Sequence, residues 1–203
     1  MIDRRRKFGR KLPNLLLLTQ QVRQKEGKMK VLVINGSPRA KGNSDLLCDE
    51  FIRGAKESGN QVEKVSLREK EVHPCKACYA CFKTGFCVQK DDMADILKKA
   101  EEADVLVLAS PTYFLTMSGQ MKVFIDRLLP KWQGLGGKQA YVIVTGHDGK
   151  QGLKRNAEDL AMTLENLGDQ VKQIIWGEHV WQKGEVLGTK AMEEAYRAGQ
   201  HIN

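Results

Sequence analysis

Four of the five cysteines in this 203-residue chain lie in one short stretch, HPCKACYACFKTGFC, at residues 73–87. Their spacing is C-x2-C-x2-C-x5-C, formed by Cys75, Cys78, Cys81 and Cys87. Thiols this close together can ligate a metal, form disulfides or act as redox-active groups. The compact spacing is typical of a [4Fe–4S] site, although a ferredoxin run has three residues before its last cysteine and a proline after it.

Three states of the cysteine stretch stay open from the residues alone: a four-iron cluster, a zinc ion, or thiols without a metal. Zinc fingers generally separate two C-x2-C pairs by a longer segment, which disfavours zinc. A cytoplasmic location would keep the thiols reduced, so we do not expect a disulfide framework. Gly85 supplies a turn that would bring Cys87 back towards the other cysteines. Cys48 stands among apolar neighbours and is predicted to be a core residue.

A second group of candidate residues follows the apolar run KVLVIN, in the segment GSPRAKGNS at 36–44. Hydroxyl groups, an arginine and the start of a predicted helix meet there, and a helix N-terminus favours a bound anion. The spacing excludes a Walker A loop, because five residues separate Gly36 from Gly42 and Asn43 replaces its lysine. The dinucleotide pattern G-x-G-x-x-G is also absent. The segment therefore predicts a site for a single phosphate group.

Two further polar segments, SPTYF at 110–114 and TGHDG at 145–149, each follow an apolar run. Tyr113 and Phe114 would offer the flat, partly apolar wall that a planar heteroaromatic ring requires. The four histidines are isolated from one another in sequence, and His147 is predicted to be an exposed loop residue. No side chain has the setting of a dedicated acid–base group, so no catalytic side chain is predicted.

The elements that must position these segments alternate between strands and helices from residue 29 onward. We predict strands at 30–36, 61–67, 104–109, 139–145 and 170–176, and helices at 43–58, 91–102, 118–129, 151–167 and 189–198. Asn43 and Ser44 are predicted to cap the first helix, and Gly59 to end it. This alternation predicts an α/β fold: a flavodoxin-like, doubly wound, five-stranded parallel sheet with helices on both faces. The three polar segments would then meet beyond the carboxyl ends of the strands.

Composition limits the classes of function that remain. Charged residues make up 29% and apolar residues 41% of the chain, as in soluble globular proteins, and no apolar run approaches the length of about 20 residues that spans a bilayer. The net charge of +8 is concentrated in residues 1–28, which hold nine basic and two acidic residues, so the remainder carries only +1. A nucleic-acid-binding face is therefore not indicated. We expect 1–28 to be a basic extension, disordered or foreign to a natural protein that starts at Met29, and 29–203 to be one domain.

The motifs together identify a resemblance. Through G-S-P-R-x-x-G-N-S, S-P-T-Y-F and SGQMKVFIDR (118–127), the chain resembles the flavodoxin-like NAD(P)H-dependent FMN reductase family. The stretch EVHPCKACYACFKTGFCVQKDDM (71–93) resembles the iron–sulfur flavoprotein branch of that family. The resemblance covers nearly all of residues 29–203. It implies that the FMN phosphate is held by Ser37, Arg39, Asn43 and Ser44, and that the ring is surrounded by Pro111, Thr112, Tyr113, Phe114, Thr145, Gly146 and Asp148.

The function implied by the resemblance is hydride transfer from NAD(P)H to FMN, with onward reduction of a quinone, a flavin or another small acceptor. The alternative is an electron carrier with a [4Fe–4S] cluster on Cys75, Cys78, Cys81 and Cys87 and a ferredoxin-like partner. A flavodoxin-like regulator without enzymatic activity is the third class. The resemblance also implies a homodimer or homotetramer, and Asp126 and Arg127 are assigned to packing or assembly. We expect a cytoplasmic protein with no membrane span and no nucleic-acid partner.

Overall fold

The computed structural model describes residues 27–202, so most of the predicted basic extension at 1–28 lies outside the described residues. The strands are β1 (Lys30–Asn35), β2 (Gln61–Ser66), β3 (Val105–Pro111), β4 (Gln139–Thr145) and β5 (Gln170–Gly177). The helices are α1 (Asn43–Glu57), α2 (Cys81–Thr84), α3 (Met93–Glu102), α4 (Gly119–Asp126), α5 (Lys150–Leu167) and α6 (Lys190–Gln200). Two 3₁₀ turns span Leu67–Glu69 and Leu129–Gly134.

The five strands form one sheet in the order β2-β1-β3-β4-β5, and every neighbouring pair is parallel. This is the predicted flavodoxin-like arrangement. The chain leaves β1 in one direction to reach β2 and crosses to the other side for β3, so the strand order reverses between β1 and β3. In such sheets a crevice opens at the point of reversal, beyond the carboxyl ends of the strands.

Apolar residues of the strands alternate between two cores, one on each face of the sheet. Leu32 and Ile34 pack with α3, α4 and α5, whereas Val31 and Val33 pack with α1 and α6. The strands β1, β3 and β4 are buried almost throughout, which explains their continuous apolar runs. None of the helices described for residues 27–202 combines the length and hydrophobicity that crossing a membrane requires.

The predicted helix at 118–129 is too long. Helix α4 ends at Asp126, and the chain continues as the 3₁₀ turn Leu129–Gly134. Pro130 explains the early end, because proline disfavours a helical conformation in the residue before it and cannot donate a helical hydrogen bond. The side chain of Ser118 caps the start of α4 by accepting a hydrogen bond from the N–H of Met121.

Candidate cofactor site and cysteine loop

One pocket of about 340 Å³ lies beyond the carboxyl ends of the strands. The structure brings all eleven residues that the sequence predicts around a flavin to its walls: Ser37, Arg39, Asn43, Ser44, Pro111, Thr112, Tyr113, Phe114, Thr145, Gly146 and Asp148. They come from three loops that are far apart in sequence and follow β1, β3 and β4. The pocket is the crevice expected where the strand order reverses.

The first wall of the pocket is the loop between β1 and α1. Ser37 Oγ accepts a hydrogen bond of 3.3 Å from the N–H of Arg39, which orders the loop. Gly42 is the N-cap of α1 and has no side chain to accept from the first N–H groups of the helix. A Cβ at Gly42 would stand 3.0 Å from the carbonyl oxygen of Arg39, so the tight loop favours glycine. The N-terminus of α1 thus offers its N–H groups and its dipole to an anion.

The predicted capping by Asn43 and Ser44 is wrong, because both lie within the first turn of α1 and their side chains make tertiary contacts instead. Ser44 Oγ lies 2.7 Å from Thr145 Oγ1, at the end of β4. Both residues are buried. Their hydrogen bond joins the first and third loops of the pocket across the end of β3.

The second wall is a tight turn at 113–116. Tyr113 and Thr116 exchange two backbone hydrogen bonds of 2.9 and 3.2 Å. Between them, Phe114 and Leu115 both have positive φ, at 46° and 74°. Two consecutive left-handed residues are the pattern of a type I′ turn, which normally holds Asn and Gly. The turn therefore stores strain, and it leaves Phe114 fully exposed at the edge of the pocket.

A segment after β5 forms part of the pocket and was not predicted from the sequence. Val180 and Trp181 line the pocket, as does His147, whose ring meets that of Trp181 edge-on at 5.8 Å. Arg39 Nη1 donates to the carbonyl oxygen of Trp181 at 2.9 Å. Only the aromatic Trp181, close after a predicted strand, could have signalled this wall in the sequence.

Asn43 holds that segment against α1. Its Oδ1 accepts hydrogen bonds from the N–H groups of Gly184 and Val186, at 3.1 and 3.3 Å. Its Nδ2 donates to the carbonyl oxygen of Gln182 at 2.9 Å. The side chain of Asn43 therefore shapes the pocket, while its backbone belongs to the helix N-terminus.

A buried carboxylate, Asp45, supports the first loop from behind. It accepts from Asn35 Nδ2 and from the N–H of Lys41, each at 2.7 Å, and pairs with Lys64 Nζ at 2.5 Å. Burial alone would raise the pKa of Asp45, but the hydrogen bonds from Lys64 and Lys41 and the charge of Arg68 lower it. Asn35 in turn accepts the N–H of Ser37, so the network fixes the start of the loop.

The cysteine stretch forms a loop at 74–90, and Cys75, Cys78, Cys81 and Cys87 all line one small cavity beside it. The N–H of Ala77 donates to Cys75 Sγ at 3.5 Å. No three side chains of His, Cys, Asp or Glu within residues 27–202 are arranged as a site for a single metal ion. Gly85, with a φ of 72°, ends α2 and makes the predicted turn towards Cys87.

A buried ion pair closes the base of this loop. Arg127 donates from Nη1 and Nη2 to the two carboxylate oxygens of Asp91, at 2.7 and 2.9 Å, and from Nη1 to the carbonyl oxygen of His73 at 2.6 Å. The two side chains are 1% and 0% exposed. Burial alone would raise the pKa of Asp91, but hydrogen bonds, first from Arg127 and then from the N–H of His73, lower it to about 2. The sequence did not reveal this pair.

The described geometry agrees with what comparisons with known proteins show. Residues 29–173 match the family model of the NADPH-dependent FMN reductases. An iron–sulfur flavoprotein from Archaeoglobus fulgidus is 44% identical over 102 residues, which cover 50% of this chain and 46% of that protein. This chain thus spans about half the length of that relative. A putative NAD(P)H-dependent FMN-containing oxidoreductase of Bacillus subtilis is 33% identical over 129 residues, covering 59% of this chain and 68% of that protein.

A solved structure shares the fold as well. The Trp repressor binding protein of Bacillus subtilis superposes with a TM-score of 0.65 at 25% identity, covering 85% of this chain and 99% of that one. Five parallel strands in the order 2-1-3-4-5, a pocket beyond their ends and the family match over 29–173 agree with one another. The chain therefore belongs to the NADPH-dependent FMN reductase family.

Proposed function

We propose that this protein is an FMN-dependent oxidoreductase that takes hydride from NADH or NADPH and reduces a quinone, a flavin or another small acceptor. The observation that carries the proposal is the convergence of three strand-end loops on one pocket beside the N-terminus of α1. A helix N-terminus favours a bound phosphate, and the aromatic and polar walls next to it suit a flat ring.

The residues of the pocket fit a flavin mononucleotide. As the N-cap, Gly42 offers no side chain to the first N–H groups of α1, and Ser37, Arg39 and Ser44 line the pocket with it, so this end would hold the phosphate. Tyr113 would cover the ring from the side of β3. The side of β4 contributes Thr145, Gly146 and Asp148, which would contact the other edge of the ring. The side-chain hydrogen bonds of Asn43 hold the wall at Trp181 in place.

FMN bound here would supply the hydride chemistry. In balance, the nicotinamide gives up a hydride, and the acceptor gains two electrons together with that hydrogen and a proton from water. The protein's own part is to orient the reactants and exclude water, and no side chain in the pocket is assigned as an acid or base. We further propose that it works in the cytoplasm, as a homodimer or homotetramer, without a nucleic-acid partner.

Anaerobic reduction of the bound flavin tests this function. NADH or NADPH added to the FMN-loaded protein should bleach the flavin absorbance, and a quinone should restore it. Free FMN at the same concentration is the control, because reduction must be much faster in the protein. If neither nucleotide bleaches the bound flavin faster than free FMN, the proposed activity is wrong.

We propose, as a second candidate function, an electron carrier that couples the flavin to a [4Fe–4S] cluster and docks with a ferredoxin-like partner. The observation that favours it is that Cys75, Cys78, Cys81 and Cys87 all line one small cavity. The Archaeoglobus fulgidus relative, 44% identical over 102 residues, is named an iron–sulfur flavoprotein.

The donor set fits a cluster better than a single ion. Four thiols form the ligand set of a four-iron cluster, and the N–H of Ala77 already hydrogen-bonds Cys75 Sγ. A cluster is larger than an ion, so its ligands need not converge on one point. The enclosed space beside the cysteines is only about 20 Å³, but Cys75 and Cys78 are exposed and leave its outer side open. These four cysteines would hold the cluster, which would supply one-electron transfer.

Iron and acid-labile sulfide, measured on anaerobically purified protein, separate the two candidates. A carrier should contain about four irons per chain, and Cys87→Ala should lose them. Cys48→Ala is the matched control, because Cys48 is fully buried in the core and burial raises the pKa of its thiol to about 12. Flavin bands without iron or sulfide would leave only the reductase.

A further inference from the structure

The cysteine loop is closed at its base by a small set of polar contacts. The N–H of Asp92 donates to the carbonyl oxygen of Glu71 at 3.0 Å, and the N–H of Glu71 donates back to Asp92 Oδ2 at 2.8 Å. The N–H of His73 donates to Asp91 Oδ2 at 3.0 Å. The two ends of the loop are therefore fixed to each other, while most of the loop between them is exposed.

One buried side chain from outside the loop completes this closure. Arg127, just after the last residue of α4, reaches both ends at once: it donates to the carbonyl oxygen of His73 and to both carboxylate oxygens of Asp91. Arginine is suited to this task because its planar fork can bond two groups in fixed directions. Burying this pair is costly unless every donor is used, so its position calls for an explanation.

Part of the guanidinium remains unused by this closure. Within residues 27–202, Arg127 Nε is buried and makes no hydrogen bond. The thiol of Cys87 lies beside the guanidinium, and both residues line the cavity that all four cysteines share. A buried N–H without an acceptor is unfavourable, and a thiolate or a cluster sulfur at this place would supply the acceptor.

We propose that Arg127 is the positioning residue of the cysteine loop: it holds the loop closed through His73 and Asp91, and its Nε–H donates to the ligand sulfur at Cys87. This inference rests on the cluster proposed above. A hydrogen bond to a ligand sulfur favours the more reduced state of an iron–sulfur cluster. Arg127 therefore raises the reduction potential of the cluster and slows the loss of its iron.

Helix α4 links the cysteine loop to the pocket. At its start, Ser118 Oγ donates to the carbonyl oxygen of Gly36 at 2.7 Å, and the N–H of Ser118 donates to Ser110 Oγ at 2.9 Å. At its end stands Arg127. One short helix thus connects the first and second loops of the pocket with the base of the cysteine loop, so Arg127 fixes the cysteines relative to the flavin site.

The test uses the full chain, purified anaerobically and, where needed, reconstituted with iron and sulfide. Arg127→Lys should fold, because it keeps a positive charge beside Asp91. It lacks the planar fork, so it cannot make all the hydrogen bonds of the arginine. The double variant Arg127→Met/Asp91→Asn removes both buried charges together and avoids an unpaired carboxylate. Arg155→Met is the matched control, because Arg155 is exposed on α5. FMN content reports whether each variant retains the fold.

Two readouts decide the matter: the reduction potential of the cluster, and the rate at which a chelator removes iron. We expect a lower potential in both Arg127 variants. We also expect iron loss to be about 10- to 100-fold faster in the double variant, since losing the hydrogen-bond partner of a ligand weakens metal binding by that factor at other sites. A cluster with unchanged potential and unchanged iron loss in folded variants would overturn the proposed role of Arg127 and leave the cluster proposal standing. Wild-type protein that takes up no iron would overturn the cluster proposal and this inference together.

Discussion

The hydroxyl groups of Ser44 and Thr145 lie 2.7 Å apart and join two loops that are separated by 101 residues in sequence. Ser44 belongs to the first turn of α1, and Thr145 is the last residue of β4. The strand between their loops, β3, ends at Pro111, which is paired with Thr145 in the sheet. This one hydrogen bond therefore holds the phosphate end and the ring end of the candidate flavin pocket in a fixed relation.

Replacing Thr145 by valine keeps the volume of the side chain and removes the hydrogen bond. Because a buried hydrogen bond contributes about 1 kcal/mol, we expect FMN to bind about fivefold more weakly. Fluorescence titration measures the change. Thr163→Val is the matched control, since Thr163 bonds within α5 to the carbonyl oxygen of Asp159 and lines no wall of the pocket. Equal losses of affinity in both variants would refute the role of the Ser44–Thr145 contact.

Asp45 should matter for the first loop although it is absent from the pocket wall. Asp45→Asn leaves one acceptor where Asn35 and the N–H of Lys41 need two, and it leaves Lys64 less well paired. We expect FMN affinity to fall about tenfold and the free energy of unfolding to fall by about 2 kcal/mol. Asp49→Asn is the control: Asp49 also pairs with Lys64 but is exposed, so its loss should change either quantity by less than about 0.5 kcal/mol.

Asp169 lies at the end of the sheet opposite the pocket, and it should make the free energy of unfolding depend on pH. Burial raises its pKa to about 6, although the N–H and the charge of Lys138 lower it in part, and its Oδ2 is buried without a hydrogen-bond partner among residues 27–202. Because this pKa lies above the ordinary value of 3.8, the folded state binds the proton more tightly than the unfolded state. Stability should therefore fall as pH rises from about 4 to 6, by up to about 3 kcal/mol.

Asp169→Asn should remove that dependence and raise the free energy of unfolding at pH 7 by about 1 to 3 kcal/mol. Its Oδ1 can still accept the N–H of Lys138. Urea unfolding at pH 4 and pH 7 measures the effect, and Asp126→Asn, at an exposed position, is the control. A variant with the same change in stability between the two pH values as the wild type would contradict this assignment.

The turn at 113–116 should lower the stability of the fold but strengthen the binding of FMN or of the nicotinamide nucleotide. Phe114→Gly removes the strain of a positive φ, worth about 1 kcal/mol, and loses no buried surface because Phe114 is fully exposed. We expect an unchanged or higher melting temperature, together with weaker binding of FMN or a higher KM for the nicotinamide nucleotide. Leu187→Gly is the control, since Leu187 is exposed without a positive φ and should become less stable. A lower melting temperature of Phe114→Gly would refute the claim that the turn is strained.

The fold could be predicted because its determinants are local. Each central strand is buried on both faces and therefore appears as a continuous apolar run, as in Lys30–Asn35 and Val105–Pro111. The helices between them carry one apolar face. One difference is the end of α4, where the apolar pattern continues through Leu128 but Pro130 limits the helix, and another is the short helix α2, which was not predicted.

The pocket could be predicted only in part. Its three loops follow strands directly, so the parallel topology placed Ser37, Thr112 and Gly146 together. The wall at Trp181 depends on the hydrogen bonds that Asn43 makes to a segment about 140 residues further along the sequence. The contact of Arg127 with Asp91 depends likewise on packing between distant segments. Both residues stand in motifs quoted above, but neither motif indicates that the two side chains meet. Whether the cysteines hold a cluster stays a prediction.

The central claim is that the N-terminus of α1 binds the phosphate of a flavin mononucleotide, and comparing FMN with riboflavin tests it most directly. The two ligands share the ring and differ in the phosphate. Equilibrium titration of the wild-type protein should show FMN binding at least about 100-fold more tightly than riboflavin, because hydrogen bonds to a charged group contribute about 1.5 to 3 kcal/mol each. Equal affinities for FMN and riboflavin would contradict the account.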